Sequence, residues 1–206
     1  MKYALGENRL TQSFFERDTV ALSRALLGKK LVTRSRGLVT AGIIVEVEAY
    51  LGHSDPACHA ARGMTARNGV MFKDAGHCYV YLIYGMYYCV NVVSDREGVG
   101  SAVLVRAVEP LEGVSIMERR RGSKVRTPYD LARGPGRLCE ALGIATSFSG
   151  HHLTASDRIW IEPHSEIAQR SVGVSGRIGI SKGAELPLRF FVKNSPWVSG
   201  PMRFAR

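Results

Sequence analysis

A ring-rich segment between residues 78 and 93 constrains the fold of this chain more than any other stretch. It holds five of the eight tyrosines, at Tyr79, Tyr81, Tyr84, Tyr87 and Tyr88. Two runs of apolar and aromatic residues, 78–84 and 86–93, flank Gly85. Such runs favour strands, and a glycine between them favours a tight turn. The segment therefore predicts a β-hairpin with Tyr84 at its tip, whose rings either fill a sheet core or face a planar ligand.

Further strand patterns run along the rest of the chain. Apolar alternation and β-branched residues predict strands at 30–33, 38–49, 101–108, 159–162, 177–180 and 188–192. In the strand at 38–49, strict alternation places the odd-numbered residues from 43 to 49 on one face. The even-numbered residues from 44 to 50, which include Glu46 and Glu48, then lie on the other face.

Helices are predicted between these strands. One is capped at Asp18 or Thr19 and runs through Leu22, Ala25 and Leu26, and others cover residues 112–121 and 138–142. A chain of 206 residues is long enough for one well-buried core. We therefore expect an α+β fold in a single domain over residues 1–206, with a curved, mainly antiparallel β-sheet, peripheral helices and a protruding β-hairpin.

Charge and targeting signals indicate where such a protein works. Lys and Arg total 28 against 18 Asp and Glu, which gives a net charge of +10 and favours a polyanionic partner. The first fifteen residues carry Glu7, Asn8 and Arg9 where a secretory signal needs an apolar core. No apolar run approaches the roughly 20 residues that span a bilayer. These features predict an intracellular protein without membrane attachment.

Residues 51–77 lack clear periodicity and predict a long loop, and long loops in compact domains are often functional. His53, Asp55, Cys58 and His59 cluster there, but their spacing matches no recognised zinc motif. The chain also lacks phosphate-binding loop and serine-hydrolase motifs. We therefore expect no metal and no cofactor.

A series of longer motifs then sets the functional hypothesis. In chain order they are Glu48-Ala49-Tyr50-Leu51-Gly52, His59, Arg67-Asn68-Gly69-Val70-Met71-Phe72, Tyr79-Val80-Tyr81-Leu82-Ile83-Tyr84-Gly85-Met86-Tyr87, Asn91, Val103-Leu104-Val105-Arg106-Ala107, Glu109-Pro110-Leu111-Glu112-Gly113, Gly134-Pro135, Pro187-Leu188-Arg189-Phe190-Phe191 and Ser195-Pro196-Trp197. With these motifs the sequence resembles the alkyladenine (3-methyladenine) DNA glycosylase family over almost its whole length. The resemblance implies a monofunctional glycosylase of base excision repair, which flips alkylated or deaminated purines out of double-stranded DNA and hydrolyses the N-glycosidic bond.

The resemblance also implies the residues of the reaction. Glu48 resembles the general base that activates water, and Arg106 resembles the residue that positions the water and the carboxylate. Arg106 can equally pair with Glu46 or Glu48 for structural reasons. Glu46 shares the face of Glu48 and is an alternative base, but the match runs through Glu48-Ala49-Tyr50.

The remaining matched residues resemble the base pocket and the DNA contacts. Tyr50, His59 and Tyr81 resemble the rings that sandwich the flipped base, and Asn91 resembles the residue that excludes guanine. Tyr84 resembles the side chain that enters the duplex. Candidate DNA contacts are Met71, through its backbone, together with Met86 and Tyr87.

Two other functions stay open on the sequence. A DNA-binding module without catalysis would need the rings and the charge but not Glu48. A folate-dependent transferase-like domain is the second, because the fold of the family resembles the C-terminal domain of methionyl-tRNA formyltransferases. For the glycosylase, the short N-terminal region fits a bacterial-type member that acts as a monomer in the cytoplasm or nucleoid rather than in a nucleus.

Overall fold

An antiparallel sheet organises the chain. In the computed structural model, which describes residues 8–200, its strands are β1 (Lys30–Ser35), β2 (Leu38–Tyr50), β3 (Cys78–Ile83), β4 (Tyr87–Ser94), β5 (Ser101–Glu112), β6 (Ile159–Glu162), β7 (Val172–Ser175) and β8 (Arg189–Val192). The strand order is β3-β4-β5-β2-β1-β6, and β8 pairs with both β2 and β7. These pairings are antiparallel, which confirms the expected α+β class.

The helices lie against one face of this sheet. They are α1 (Gln12–Phe15), α2 (Thr19–Leu26), α3 (Val114–Arg121) and α4 (Pro135–Leu142). Asp18 caps α2 as predicted, because its Oδ1 accepts from the backbone N–H groups of Val20 and Ala21 at 3.1 and 3.0 Å. Apolar side chains of α2, α3 and α4 share one core with alternate residues of the central strands. That core leaves the opposite face of the sheet for the cavity.

Strand register brings distant residues into one row on this opposite face. Tyr79 of β3 pairs with Asn91 of β4, and Asn91 pairs with Leu104 of β5. Leu104 pairs in turn with Glu48 of β2. Because side chains on one face repeat every second residue, Tyr81 and Arg106 also lie on the cavity side.

Irregularities in β2 correct the predicted alternation. The pairing of β2 with β5 shifts register between Ile44 and Glu46 and again between Glu46 and Val47. As a result Ile44 shares the main core with Val47, whereas Val45 packs in a separate cluster. The prediction that residues 43 to 49 alternate strictly is therefore wrong, because an extra residue in a bulge reverses the faces.

Two other element predictions need correction. Residues 177–180 form no strand; the strand is β7, and the chain leaves the sheet after Ser175. The predicted helix at 112–121 begins only at Val114, because β5 continues to Glu112 and Gly113 adopts a left-handed φ of 68°. Residues 51–77 contain only two short 3-10 turns, Gly52–Ser54 and Gly69–Phe72, so the long loop is confirmed.

Some sequence predictions extend beyond the described part of the chain. Residues 1–7 and 201–206 lie outside it, and with them both ends of the expected 1–206 domain and part of the segment used to argue against a secretory signal. Among residues 8–200, no helix has the length and apolar character needed to cross a membrane.

Candidate active site

The cavity on the open face of the sheet has a volume of about 690 Å³. This is within the usual range for a small-molecule or nucleobase pocket. Its walls come from β3, β4 and β5, the long loop, the hairpin tip and the start of α4. The lining residues used below are Tyr50, His59, Met71, Tyr79, Tyr81, Tyr84, Tyr87, Asn91, Leu104, Arg106, Lys124, Arg133, Arg137 and Ile178.

Aromatic rings form one wall of the cavity. The His59 and Tyr81 ring centroids are 4.5 Å apart, and those of Tyr79 and Tyr81 are 5.4 Å apart. His59 Nδ1 lies 3.0 Å from the Tyr79 hydroxyl, within hydrogen-bond distance. Tyr79 is a lining residue that the sequence did not assign a role. Its place in the hairpin alternation, two residues before Tyr81, was the signal that could have found it.

Burial keeps these rings uncharged. Burial lowers the pKa of His59, and the nearby Arg67 guanidinium lowers it further. Burial likewise raises the pKa values of Tyr50 and Tyr81, and it raises the pKa of Tyr79 to about 12. The wall therefore presents neutral faces near pH 7, which attract a cationic planar ligand without charge repulsion.

Glu48 lies directly behind this cavity. Its Oε1 accepts from the Ile178 backbone N–H at 2.7 Å and is 3.2 Å from Arg106 Nη1. Its Oε2 accepts from the Tyr50 hydroxyl at 3.0 Å. Glu48 itself is 0% exposed and does not line the cavity, but Tyr50, Arg106 and Ile178 all do. The carboxylate is thus one residue layer from the cavity, and a water molecule must enter between these three residues to reach it.

Glu46 is the centre of a separate buried network. Its Oε1 accepts from Arg106 Nε at 3.0 Å and from Arg189 Nε at 2.7 Å. Its Oε2 accepts from the Ser199 backbone N–H at 2.6 Å. Three residues contact Glu48 from the cavity side, and of these Arg106 also contacts Glu46. Arg106 therefore bridges a structural carboxylate and the one beside the cavity.

The loop after β7 carries residues that the sequence analysis missed. The Arg177 guanidinium forms a two-pronged ion pair with Asp55, with Nη2 to Oδ1 at 2.8 Å, and both side chains are fully buried. Arg177 Nη1 also donates to the Ala49 carbonyl at 3.0 Å, and its Cζ lies 4.7 Å from the Tyr50 ring centroid. The next residue, Ile178, donates to Glu48. Arg177 thus holds both the Tyr50 ring and the peptide that contacts the carboxylate.

The hairpin tip projects from the cavity mouth as predicted. Tyr84 is 76% exposed, with Met86 at 66% and Tyr87 at 43%. Tyr84 has a φ of 54° and is followed by Gly85 at 68°. A left-handed backbone is costly for a bulky residue and is often found at functional sites. Met86 is not among the cavity-lining residues.

Asn91 and Met71 both lie at the cavity, with different consequences. The Asn91 amide donates to the Tyr79 carbonyl at 3.1 Å, which fixes the side chain at the pocket floor. Met71 is 3% exposed, and its backbone N–H already donates to the Asn68 carbonyl at 2.8 Å. The Met71 side chain is thus buried at the cavity wall, and a DNA contact through its backbone stays a prediction.

Basic side chains border the cavity near the start of α4. Lys124, Arg133 and Arg137 all line it. Lys124 pairs with Glu140 at 2.7 Å and Arg137 with Asp130 at 2.8 Å. This rim gives the cavity mouth a positive charge, which suits the polyanion predicted from the composition.

Two of the four loop residues that cluster in the sequence have other partners. Asp55 forms an ion pair with Arg177, and the His59 ring packs against Tyr81 in the aromatic wall. Within residues 8–200, the group with ligand spacing is Asp74, His77 and His152, and none of these lines the cavity.

A basic antiparallel-sheet protein with a pocket of neutral rings beside a carboxylate–arginine pair has the groups expected of an enzyme that acts on a flat, neutral or cationic ligand. The model of the methylpurine-DNA glycosylase family matches residues 13–196. The chain belongs to this family. It is therefore a DNA glycosylase, a hydrolase of N-glycosyl bonds that takes DNA as its substrate in base excision repair, as the sequence resemblance predicted.

Relatives from bacteria and archaea agree with this assignment. A protein of Methanoculleus marisnigri is 50% identical over 192 residues, which cover 92% of this chain and 98% of that protein. A protein of Chlorobaculum parvum is 47% identical over 93% of this chain and 90% of its own length. A protein of Legionella pneumophila (strain Lens) is 42% identical over 93% and 98%. Each carries the name "Putative 3-methyladenine DNA glycosylase".

Proposed function

We propose that this protein is a monofunctional glycosylase that flips alkylated or deaminated purines out of double-stranded DNA and hydrolyses their N-glycosidic bond. The observation that carries this proposal is the placement of Glu48 one layer behind a pocket of neutral rings, bonded only to groups that line that pocket. A base cannot reach such a pocket while stacked in a duplex, so it must be extruded first. The product is an abasic site.

The pocket selects purines by stacking and by exclusion. Tyr50, His59 and Tyr81 hold the flipped base between their faces, and a cationic alkylated purine gains attraction from neutral rings. Asn91, fixed by the Tyr79 carbonyl, crowds the exocyclic 2-amino group of guanine. Rejection of the normal base by a clash is an effective route to specificity.

Glu48 rather than Glu46 acts as the general base. The hydrogen-bond partners of Glu46 are Arg106, Arg189 and Ser199, all buried, and of these Arg106 lines the pocket. The carboxylate oxygens of Glu48 instead accept hydrogen bonds from the Tyr50 hydroxyl and the Ile178 N–H at the pocket wall. In this position it accepts a proton from water and stabilises the positive charge that develops on the sugar as the bond breaks.

The pH dependence of base release reports on Glu48. Burial raises the pKa of Glu48 above its ordinary value of 4.5, although Arg106 and the Ile178 N–H oppose this shift. A base must be ionised, so the rate should fall as the pH drops through this raised pKa. We expect an acid limb with a midpoint above 4.5 in single-turnover rates. The midpoint is measured on hypoxanthine and ethenoadenine duplexes, because a titration of the enzyme gives the same midpoint on both substrates. A shared midpoint at or below 4.5 would contradict the assignment of Glu48 as the base.

Tyr84 fills the gap that the extruded base leaves in the duplex. Its ring restores stacking with neighbouring bases, which offsets part of the cost of unpairing. We expect Tyr84→Ala to weaken binding to lesion duplex roughly 10- to 100-fold, because stacking contributes about 1–3 kcal/mol per base. Fluorescence anisotropy measures the affinity. Tyr129→Ala is the matched control, since Tyr129 is 40% exposed but packs on Trp197 away from the cavity; equal losses in the two variants would refute the role of Tyr84.

The decisive experiment for the proposal uses duplex oligonucleotides that each carry one damaged purine. Incubation with the protein should create alkali-labile sites at hypoxanthine, ethenoadenine, 3-methyladenine or 7-methylguanine. Strands should stay intact without alkali, and borohydride should trap no covalent complex, because water is the nucleophile. Lys124 is the lysine at the cavity wall, and it is paired with Glu140. Trapping would indicate a lyase instead.

The same experiment separates the two rival functions. Tight binding of lesion duplex without base release would indicate a binding module. Dependence on a formyl-folate donor would indicate a transferase-like domain. We also propose that the protein acts as a monomer in the compartment that holds the genome.

A further inference from the structure

Two histidines and an aspartate come together at the end of β3 opposite the hairpin tip. Asp74 and His77 precede the strand, whereas His152 follows the 3-10 turn Thr146–Phe148. Their candidate ligand atoms all lie within 4.8 Å of one another. The six residues of β3 separate this cluster from Tyr84 by roughly 20 Å. The cluster is therefore separate from the proposed reaction.

Each histidine lies beside a different oxygen of the Asp74 carboxylate, at a distance close to that between neighbouring ligands of one small ion. His77 Nδ1 is 3.3 Å from Asp74 Oδ1, and His152 Nε2 is 3.4 Å from Asp74 Oδ2. Neighbouring ligands of a tetrahedral zinc ion, with bonds of about 2.0–2.1 Å, are about 3.3 Å apart. The two histidine side chains are only 13% and 21% exposed, and Asp74 at 54% opens the group to solvent. An ion could thus enter from the solvent side.

The backbone fixes the spacing of the two histidines. His77 and His152 form an isolated antiparallel bridge. On either side of it, the Cys78 N–H donates to the His151 carbonyl at 2.8 Å and the Leu153 N–H donates to the Gly76 carbonyl at 2.9 Å. The ring centroids are 4.6 Å apart. Two of the three ligands are therefore held in place before any ion binds, which lowers the cost of ordering them.

A further contact orients the His152 ring. Its Nδ1 lies 2.7 Å from the Thr154 hydroxyl and 3.4 Å from the Thr154 backbone nitrogen, whose N–H donates toward it when Nδ1 is unprotonated. When Nδ1 donates to this oxygen, the lone pair of Nε2 points toward Asp74. Metal-bound histidines almost always have such an outer hydrogen bond on the second ring nitrogen.

We infer that Asp74, His77 and His152 form a binding site for a divalent transition-metal ion of the zinc type. Two imidazoles and one carboxylate favour such an ion over magnesium or calcium, which prefer oxygen ligands. Water completes the coordination. The ion ties the segment before β3 to the loop around His152, and so it steadies the strand that carries Tyr79 and Tyr81.

Proton competition accompanies this binding. His77 Nδ1 also lies 3.0 Å from the Asp74 carbonyl oxygen, to which it donates when no ion is bound. When an ion binds Nδ1, the ring proton moves to Nε2, and protonation of both ring nitrogens competes with the ion, so the affinity should fall at low pH. Zinc binding without any pH dependence would contradict this ligand set.

The test measures binding of zinc to the full chain after removal of metal with a chelator. Calorimetry should detect one zinc ion per chain, and the thermal midpoint should rise with added zinc. Asp74→Asn and His152→Gln should each weaken this binding at least ~10-fold. His151→Gln is the matched control, because its Nδ1 contacts Ser156 rather than Asp74. Cobalt(II) should give the absorption of a tetrahedral ion in the wild type.

These measurements test zinc binding alone and do not depend on catalysis. Asp74 is half exposed, so Asp74→Asn should fold even if a histidine variant does not. Unchanged zinc affinity in Asp74→Asn, or a wild type that binds no zinc at micromolar concentrations, would overturn the site. Equal losses in His151→Gln would do the same. Base release plays no part in these measurements, so failure of the proposed glycosylase function leaves them interpretable.

Discussion

Glu48→Gln should abolish base release while the protein keeps its fold and its affinity for lesion duplex. The substitution preserves size and the acceptor for the Ile178 N–H, but the amide cannot take a proton from water. General-base catalysis typically contributes about 10²–10⁴-fold, and we expect a loss in that range. Because burial raises the pKa of Glu48, the ionised carboxylate is costly in the folded state near neutral pH. A neutral side chain should therefore not lower the thermal midpoint.

Glu46→Gln is the informative counterpart, because the two carboxylates lie in one strand and share Arg106. Here the change leaves the fully buried Arg189 without its carboxylate. Loss of one partner of a buried ion pair typically costs about 3–5 kcal/mol. We expect a large drop in the free energy of unfolding, with chemistry largely retained in the folded fraction.

Single-turnover rates on a hypoxanthine duplex, together with urea unfolding curves, measure both effects. If Glu48 is the base, Glu48→Gln loses rate and keeps its stability, whereas Glu46→Gln loses stability and keeps most of its rate. Wild-type rates in Glu48→Gln would require another base, and a lost rate with intact stability in Glu46→Gln would identify Glu46 as that base. Loss of duplex binding in Glu48→Gln would indicate a role in holding the base rather than in hydrolysis.

Much of this site could be predicted because strands impose a simple rule. The turn at Gly85 predicted Tyr84 at the hairpin tip, and alternation along the hairpin was the signal that could have added Tyr79 beside Tyr81. The bulges in β2 could not be predicted in the same way. A shift of one residue moves side chains to the opposite face, and the sequence 43–49 has no glycine or proline to mark it. Glu46 and Glu48 keep a common face because their pairing with β8 is regular, with Glu46 opposite Phe191 and Glu48 opposite Arg189.

Contacts between distant segments were the harder part. Residues 177–180 alternate in polarity like a strand, so the pattern concealed the loop that brings Ile178 to Glu48. Arg177 and Asp55 are 122 positions apart, and a buried ion pair leaves no periodic signal. The same holds for His77 and His152, which appear unrelated in the sequence.

The loop that holds Arg177 leads to the second large effect. Arg177→Met should reduce the single-turnover rate of base release by about 10²-fold, beyond any loss of folded protein. The guanidinium packs over the Tyr50 ring and binds the Ala49 carbonyl, and the following peptide donates to Glu48. Misplacement of reacting groups by about 1 Å can cost 10²-fold in rate. The substrate affinity should change less, because His59 and Tyr81 do not contact Arg177.

Stability must be separated from this positioning effect, since Arg177→Met alone leaves Asp55 charged and buried. That should cost about 3–5 kcal/mol of unfolding free energy. Asp55→Asn combined with Arg177→Met removes both charges. The Leu51 and Ala57 N–H groups donate to different oxygens of Asp55, so the single amide oxygen of the asparagine keeps an acceptor for one of them. We expect the double variant to recover part of the stability but not the rate.

The pH profile completes the argument, because a purely structural arginine would leave it unchanged. The Ile178 N–H favours the ionised form of Glu48 and so lowers its pKa. If Arg177 anchors that peptide, its loss releases the hydrogen bond, and the acid limb of base release moves to higher pH in the double variant. A double variant that regains both stability and rate, with an acid limb at the wild-type position, would show that Arg177 serves folding alone. A lower rate with a shifted limb identifies it as the residue that keeps the base of the reaction in position.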